Sequence, residues 1–312
     1  MKNDPKVAII STVKGTLEEL ILFINYHLNI GIDKIILFFD DPNDNCIDHI
    51  HSTYKNVHAV TCTDEYWLKK SSHRPELHTE RQVINANEGI TIAKELGCKW
   101  IIHIDRDELI YSSKNFKSVL DNSESDVIRL SIREAIPEIE NYKNIFEPRI
   151  FKVPNPSPRK VKIAKVFGCK SVFYGNNYFK GHTRSKVAIK MTSKIQKIAI
   201  HQPLEYDKEN TRFTDTQEIK LLHFDSIGFH DWYQKFANKP ENFSKKTTVK
   251  RGAYRKLLIQ EFVDARDKGS QHLRSLYKKK YMISRNKIFI LSLLKMTEKI
   301  SINHKFFETP SR

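Results

Sequence analysis

Four short apolar runs within the first 104 residues, spaced by helix-like or polar segments, restrict the fold more than any other feature of the chain. They are Val7–Ile10, Lys34–Phe39, Val57–Cys62 and Trp100–Ile104. The first, short and continuously apolar, suits a strand covered on both faces, as in a parallel sheet. Between the first two, Thr16-Leu17-Glu18-Glu19 reads as a capping box, and Leu17, Leu20, Ile21, Ile24 and Leu28 make a helical stripe that stops at Gly31. A second helix is expected from about His78 to Leu96, with Val83, Ala86, Ile90 and Ala93 on its buried face and Gly97 as its stop. Strand and helix in alternation predict an α/β fold, a mostly parallel sheet flanked by helices. In such sheets ligands sit beyond the carboxyl ends of the strands. Three of the four runs end there in acids: Asp40-Asp41, Asp64-Glu65 and Asp105 to Glu108.

Charge divides the chain. The 53 Lys+Arg against 37 Asp+Glu give +16, spread as −5 over residues 1–110, +9 over 111–240 and +12 over 241–312. From about Gly228 the sequence reads as helical, basic and amphipathic, so the expected organisation is a catalytic domain over 1–240 and a basic helical extension over 241–312. Such a tail suits nucleic acid, an anionic membrane, or water alone. With no nucleic-acid motif in the chain, nucleic acid is not an expected partner. An exposed helical face of Ile283, Ile288, Leu291 and Leu294 would lie on an anionic bilayer; the competing reading packs that helix on its own domain. The longest apolar stretch there, Ile288 to Leu294, is far below the roughly 20 residues of a membrane span. The start lacks the apolar core of a secretory signal. Cys46, Cys62, Cys98 and Cys169 form no CxxC pair and are expected as buried free thiols. A cytoplasmic location follows as the expectation, with peripheral contact at the inner face of the membrane as an extension of it.

Asp105-Arg106-Asp107 follows an apolar strand directly, where two carboxylates can converge on a hard divalent cation that bridges a diphosphate. A solvated acidic turn is the plain alternative. Lys99 to Ile110 closely resembles the metal-binding strand of A-type glycosyltransferases. Further segments resemble the family 2-like and family 92-like bacterial members: Tyr26-His27 with Gly31 to Lys34, Arg81-Gln82 with Asn85, Gly181 to Lys186, His201 with Pro203, and Leu222 to Asp225 with Trp232 and Lys235. The resemblance spans residues 6–240 and implies the A-type fold and a metal-dependent glycosyltransferase using Mn²⁺ or Mg²⁺. A sugar would pass from a nucleotide-sugar donor to a hydroxyl of a glycan or glycolipid acceptor, in surface polysaccharide or lipopolysaccharide (lipooligosaccharide) biosynthesis.

The resemblance also implies roles. Asp105, Asp107 and His223 are candidate metal ligands, with His201 competing for the third place and Asp105 alternatively holding the ribose. Thr12, Asp40, Arg81, Gln82, Asn85, Asp105, Lys186 and Lys235 are candidate donor contacts, with Lys190 a further cation for the diphosphate. An inverting transfer needs a base at the acceptor hydroxyl; Glu134, expected beyond a fifth strand, and His182 are the candidates. The chain departs from the family pattern at Lys14-Gly15, where Asn-Glu is usual, at Ser185, where Gly is usual, and around Leu130 to Glu134, where a Trp-x-x-Phe-Gly segment is absent. Two alternatives stay open: a nucleotidyl- or phosphosugar transferase, against which Ser11 to Gly15 is not a Gly-rich loop, and a non-enzymatic basic nucleic-acid-binding protein.

Overall fold

A computed structural model describes residues 5–173, 177–181, 183–237 and 253–310. In chain order the elements are β1 (Val7–Val13), α1 (Leu17–Asn29), β2 (Lys34–Phe39), α2 (Cys46–Thr53), β3 (Val57–Thr61), α3 (Asp64–Ser71), α4 (His78–Glu95), β4 (Trp100–His103), β5 (Glu108–Ser112), α5 (Phe116–Asp121) and β6 (Val127–Ala135). There follow β7 (Ile150–Lys152), α6 (Pro158–Val166), β8 (Val187–Lys190), β9 (Ile195–Ile198), β10 (Pro203–Tyr206), β11 (Phe213–His223), α7 (Gly228–Ala237), α8 (Ala253–Asp267), α9 (Ser270–Lys280), α10 (Arg285–Leu293) and β12 (Thr297–Lys299). The chain divides into two compact units: 1–132, 184–222 and 302–312 form one, and 133–183 with 223–301 the other. The boundary expected near residue 240 falls in 238–252, outside the described residues.

In the first unit β3, β2, β1 and β4 are parallel neighbours, and β8 adds antiparallel to β4 with the start of β6 beside it. β1 runs on past the apolar run: Ser11, Thr12 and Val13 stay in register with Leu37, Phe38 and Phe39, because β2 goes on supplying backbone partners beyond Ile10, where the pairing with β4 ends. α1 starts as expected, with Thr16 and Glu19 closing the capping box. Its buried face differs, comprising Leu20, Phe23, Ile24, Asn25, Tyr26 and His27. The reason is a second cover: the turn His304–Phe307 returns onto α1, and Asn25 and Asn29 donate to the Phe307 and Phe306 carbonyls at 3.1 Å. Asp64 and Glu65 are not a strand-end acidic pair but the first turn of α3, where Thr63 caps the Tyr66 N–H at 3.2 Å. α4 lies so close to β1 that a Cβ on Gly89 would stand 2.6 Å from an Ile10 methyl.

In the second unit β7 pairs antiparallel with the end of β6 and with β12. α7, α8 and α9 bury a cluster around Trp232, Phe236, Phe262, Tyr277 and Tyr281. The basic C-terminal helices are present, and of the two readings of their apolar face the structure shows the packed one: Ile283, Ile288 and Leu291 are buried and Leu294 half-buried. Burial of these side chains within their own unit satisfies the apolar surface that would otherwise have sought lipid. No helix of the described residues is long and apolar enough to cross a membrane. All four cysteines are buried and free.

Candidate active site

The first unit gathers most of the expected donor-side residues at the carboxyl ends of β1, β2 and β4. Asp105 to Glu108 form a tight turn: the Glu108 N–H donates to the Asp105 carbonyl at 3.0 Å, and the Asp105 N–H donates to the Glu108 carboxylate at 2.8 Å. The Asp105 carboxylate is held from two sides, by Gln82 Nε2 on Oδ1 at 2.7 Å and by Lys186 Nζ on Oδ2 at 2.9 Å. Lys186 is fully buried between Asp105 and Glu108, the latter 3.7 Å away. Burial alone would lower its pKa, but Asp105 and Glu108 outweigh that and hold it above the usual lysine value. It is therefore a structural cation that fixes the turn as well as a candidate diphosphate contact.

The other candidates form matched pairs. Both oxygens of Asp40 lie in the fork of Arg81, at 2.7 and 2.9 Å, and Arg74 approaches one of them at 3.2 Å. Arg81 also donates to the Pro75 and Glu76 carbonyls, tying the start of α4 to the end of β2. Asn85 donates to the Thr12 hydroxyl at 3.0 Å and accepts from the Tyr66 hydroxyl at 2.7 Å, all within the core of this unit. Gln82 and Asn85 thus share a helix face, as i, i+3 spacing requires, but Gln82 reaches the acidic turn and Asn85 the interior. Lys190 sits over the Trp100 ring at 5.9 Å. His201 is half-buried between β9 and β10.

Four residues around the turn have partners that the sequence reading did not assign. Arg106, the middle residue of Asp-x-Asp, lies across the loop after β1, where a Cβ on Gly15 would meet its Cδ at 2.8 Å, and it ion-pairs with the capping-box Glu19. Gly15 leaves the room for that side chain. Glu108 reads as one more acid in a run, yet it is wholly buried and partners Lys186. Tyr26 and His27 support the strand that leaves the turn: Tyr26 donates to the Ile110 carbonyl at 2.8 Å, and the Ile110 N–H donates to His27 Nε2 at 3.3 Å.

In the second unit Glu134 lies inside β6 rather than beyond a strand. Its carboxylate pairs with Lys152 at 2.6 Å and accepts the backbone N–H groups of Lys180 and Gly181 at 2.7 and 2.6 Å. With its oxygens so engaged, Glu134 anchors the 180–181 backbone, a duty that competes with proton transfer. Burial, with Lys152 nearby, brings the Lys180 pKa down to about 7, against the pull of Glu134. His223, at the end of β11, and Asp225 press on Gly181: a Cβ there would stand 2.8 Å from His223 Cε1 and 3.3 Å from Asp225 Oδ2. Lys235 ion-pairs with Asp225, which also accepts the Ser226 hydroxyl at 3.0 Å. His182 lies outside the described residues.

Among the described residues no three His, Cys, Asp or Glu side chains converge as a metal cage. A cation beside Asp105 would compete with the Lys186 ammonium for the same oxygen. Asp107 is the other aspartate of the turn, and a single carboxylate fits Mg²⁺ or Mn²⁺ when phosphate oxygens and water fill the other positions.

The sequence model of glycosyltransferase family 92 matches residues 10–262. Two glycosyltransferase-like proteins of Arabidopsis thaliana are each 26% identical over 73% of this chain, across 264 and 265 residues. The matches cover 55% and 48% of those relatives, so the chain spans about half the length of the curated proteins it matches. The crystal structure of HddC from Yersinia pseudotuberculosis gives a TM-score of 0.36 at 13% identity, over 74% of this chain and 97% of that one.

Proposed function

Because the chain belongs to glycosyltransferase family 92, we propose that it moves a sugar from a nucleotide-sugar donor to a hydroxyl of a glycan or glycolipid, in the making of a surface polysaccharide or lipooligosaccharide. The observation that carries this reading is the acidic turn after β4, with Asp105 clamped between Gln82 and Lys186. A turn so restrained holds Asp107 at a set place beyond the strand ends, where an α/β sheet receives its ligand. Mn²⁺ or Mg²⁺ bound through Asp107 would neutralise charge on the leaving diphosphate.

The residues around the turn then have separate tasks. Lys186 keeps Asp105 oriented and places positive charge under the turn. Arg81, locked on Asp40, stiffens the end of β2 where the nucleoside would lie, and Arg74 adds a second guanidinium at the same carboxylate. Arg106 spans the loop after β1 and closes that side. Preorganised charge of this kind acts on the charge that develops in the transition state, with little reorganisation cost. The reading places the enzyme in the cytoplasm and needs no nucleic acid.

A thermal-shift screen of nucleoside diphosphates, with and without Mn²⁺, tests it through binding linkage. One diphosphate should raise the melting temperature in a metal-dependent way. Asp107→Asn should remove that metal-dependent part and lower donor turnover at least about a hundredfold with the melting temperature of the free protein unchanged. Full turnover in Asp107→Asn would end the proposal.

A further inference from the structure

We propose that α6, with the outward side of α10, is a docking surface for an anionic lipid bilayer. This goes beyond the transfer reaction and does not depend on it. α6 is a nine-residue helix that buries only Ala164, and it ends in Val166 and Phe167, which are 76% and 63% exposed. Beside it runs a groove of about 770 Å³ whose walls include Pro156, Val161, Lys162, Lys165 and Lys170. Apolar side chains standing out among lysines are the composition of an interfacial helix, in which the apolar groups enter the acyl boundary and the ammonium groups meet headgroup phosphates.

α10 continues the surface. The 3-10 turn Cys169–Val172 follows α6 and rests on α10: Cys169 Sγ lies 3.9 Å from the Lys287 carbonyl, and Lys287 Nζ donates to the Ser171 hydroxyl at 2.8 Å. α10 exposes Phe289 and Leu293, at 64% and 69%. These are the opposite side from the buried Ile288 and Leu291.

Charge decides the occupant. α6 and the turn after it carry Arg159, Lys160, Lys162, Lys165 and Lys170 and no acid, and α10 has no acid either. A second copy of this surface would repel the first, since neither brings a carboxylate to the other's lysines. Nucleic acid would satisfy the lysines and leave Val166, Phe167, Phe289 and Leu293 without apolar partners. A bilayer containing anionic lipid satisfies both sets at once.

The test is co-sedimentation of the full chain with vesicles of phosphatidylcholine, alone or with about a third phosphatidylglycerol. The protein should pellet at least about tenfold more with the anionic vesicles, and high salt should release most of it. Phe167→Ser combined with Phe289→Ser, and separately Lys162→Glu combined with Lys170→Glu, should each abolish most of the pelleting. All four positions are on the surface, so melting temperature and nucleoside-diphosphate binding should match the wild type. Protein that stays in the supernatant, pellets equally with both kinds of vesicle, binds RNA but no vesicle, or pellets unchanged in the variants overturns the proposal.

Discussion

Lowering the pH should destabilise this fold through His27, by an amount the structure permits to be worked out. The ring is fully buried, edge-on to Phe23 at 4.4 Å between centroids. Nε2 accepts the Ile110 N–H, so Nδ1 carries the proton and donates to the Phe23 carbonyl at 2.8 Å. A second proton would have to go on Nε2, directly opposite a backbone donor and away from water. Burial accordingly pulls the His27 pKa down to about 3, despite the favourable Phe23 carbonyl. The unfolded chain titrates near 6.5, so the contribution is complete above that value and is lost as pH falls toward 3. Between about pH 7 and pH 5 the unfolded ring takes up about three-quarters of a proton that the folded ring refuses, which costs about 2 kcal/mol. Other groups titrate over the same range, so the measurement is a difference. Urea unfolding of the wild type and His27→Gln at both pH values should show the variant losing about 2 kcal/mol less on acidification. Equal losses in the two proteins would refute the reasoning, because they would mean that His27 is protonated in the fold or is not buried.

Two further substitutions probe the site's framework. Lys186→Ala leaves Asp105 and Glu108 facing each other without their shared cation and should cost about 3–5 kcal/mol in urea unfolding at neutral pH. That deficit should shrink at acid pH, where the carboxyls protonate. Gly89→Ala drives a methyl into Ile10 and should cost about 1–3 kcal/mol by the same measurement; its double mutant with Ile10→Val should recover part of that loss.

Much of the first unit was legible from local pattern. The apolar runs became β1 to β4, and the Thr16 capping box opened α1, because each depends on neighbours a few residues away. The acidic ends of β2 and β4 were visible as well. Misreadings arose where another segment intervened. The return of residues 302–310 onto α1 buried Asn25 and Tyr26 in place of Leu17, and α3 took Asp64 and Glu65 into its first turn where a strand-end pair was expected.

From the sequence alone came the places of β1 to β4, of α1 and α4, and of the acidic turn after β4. Tertiary structure alone decided that Asp105 meets Gln82 and Lys186, that Asp40 meets Arg81, and that Glu134 meets Lys152. Periodicity states which side of an element faces inward, since that follows from backbone geometry within one turn or one pleat. It does not say which charge lies opposite across 81 residues of chain, because that partner is chosen by how whole elements pack.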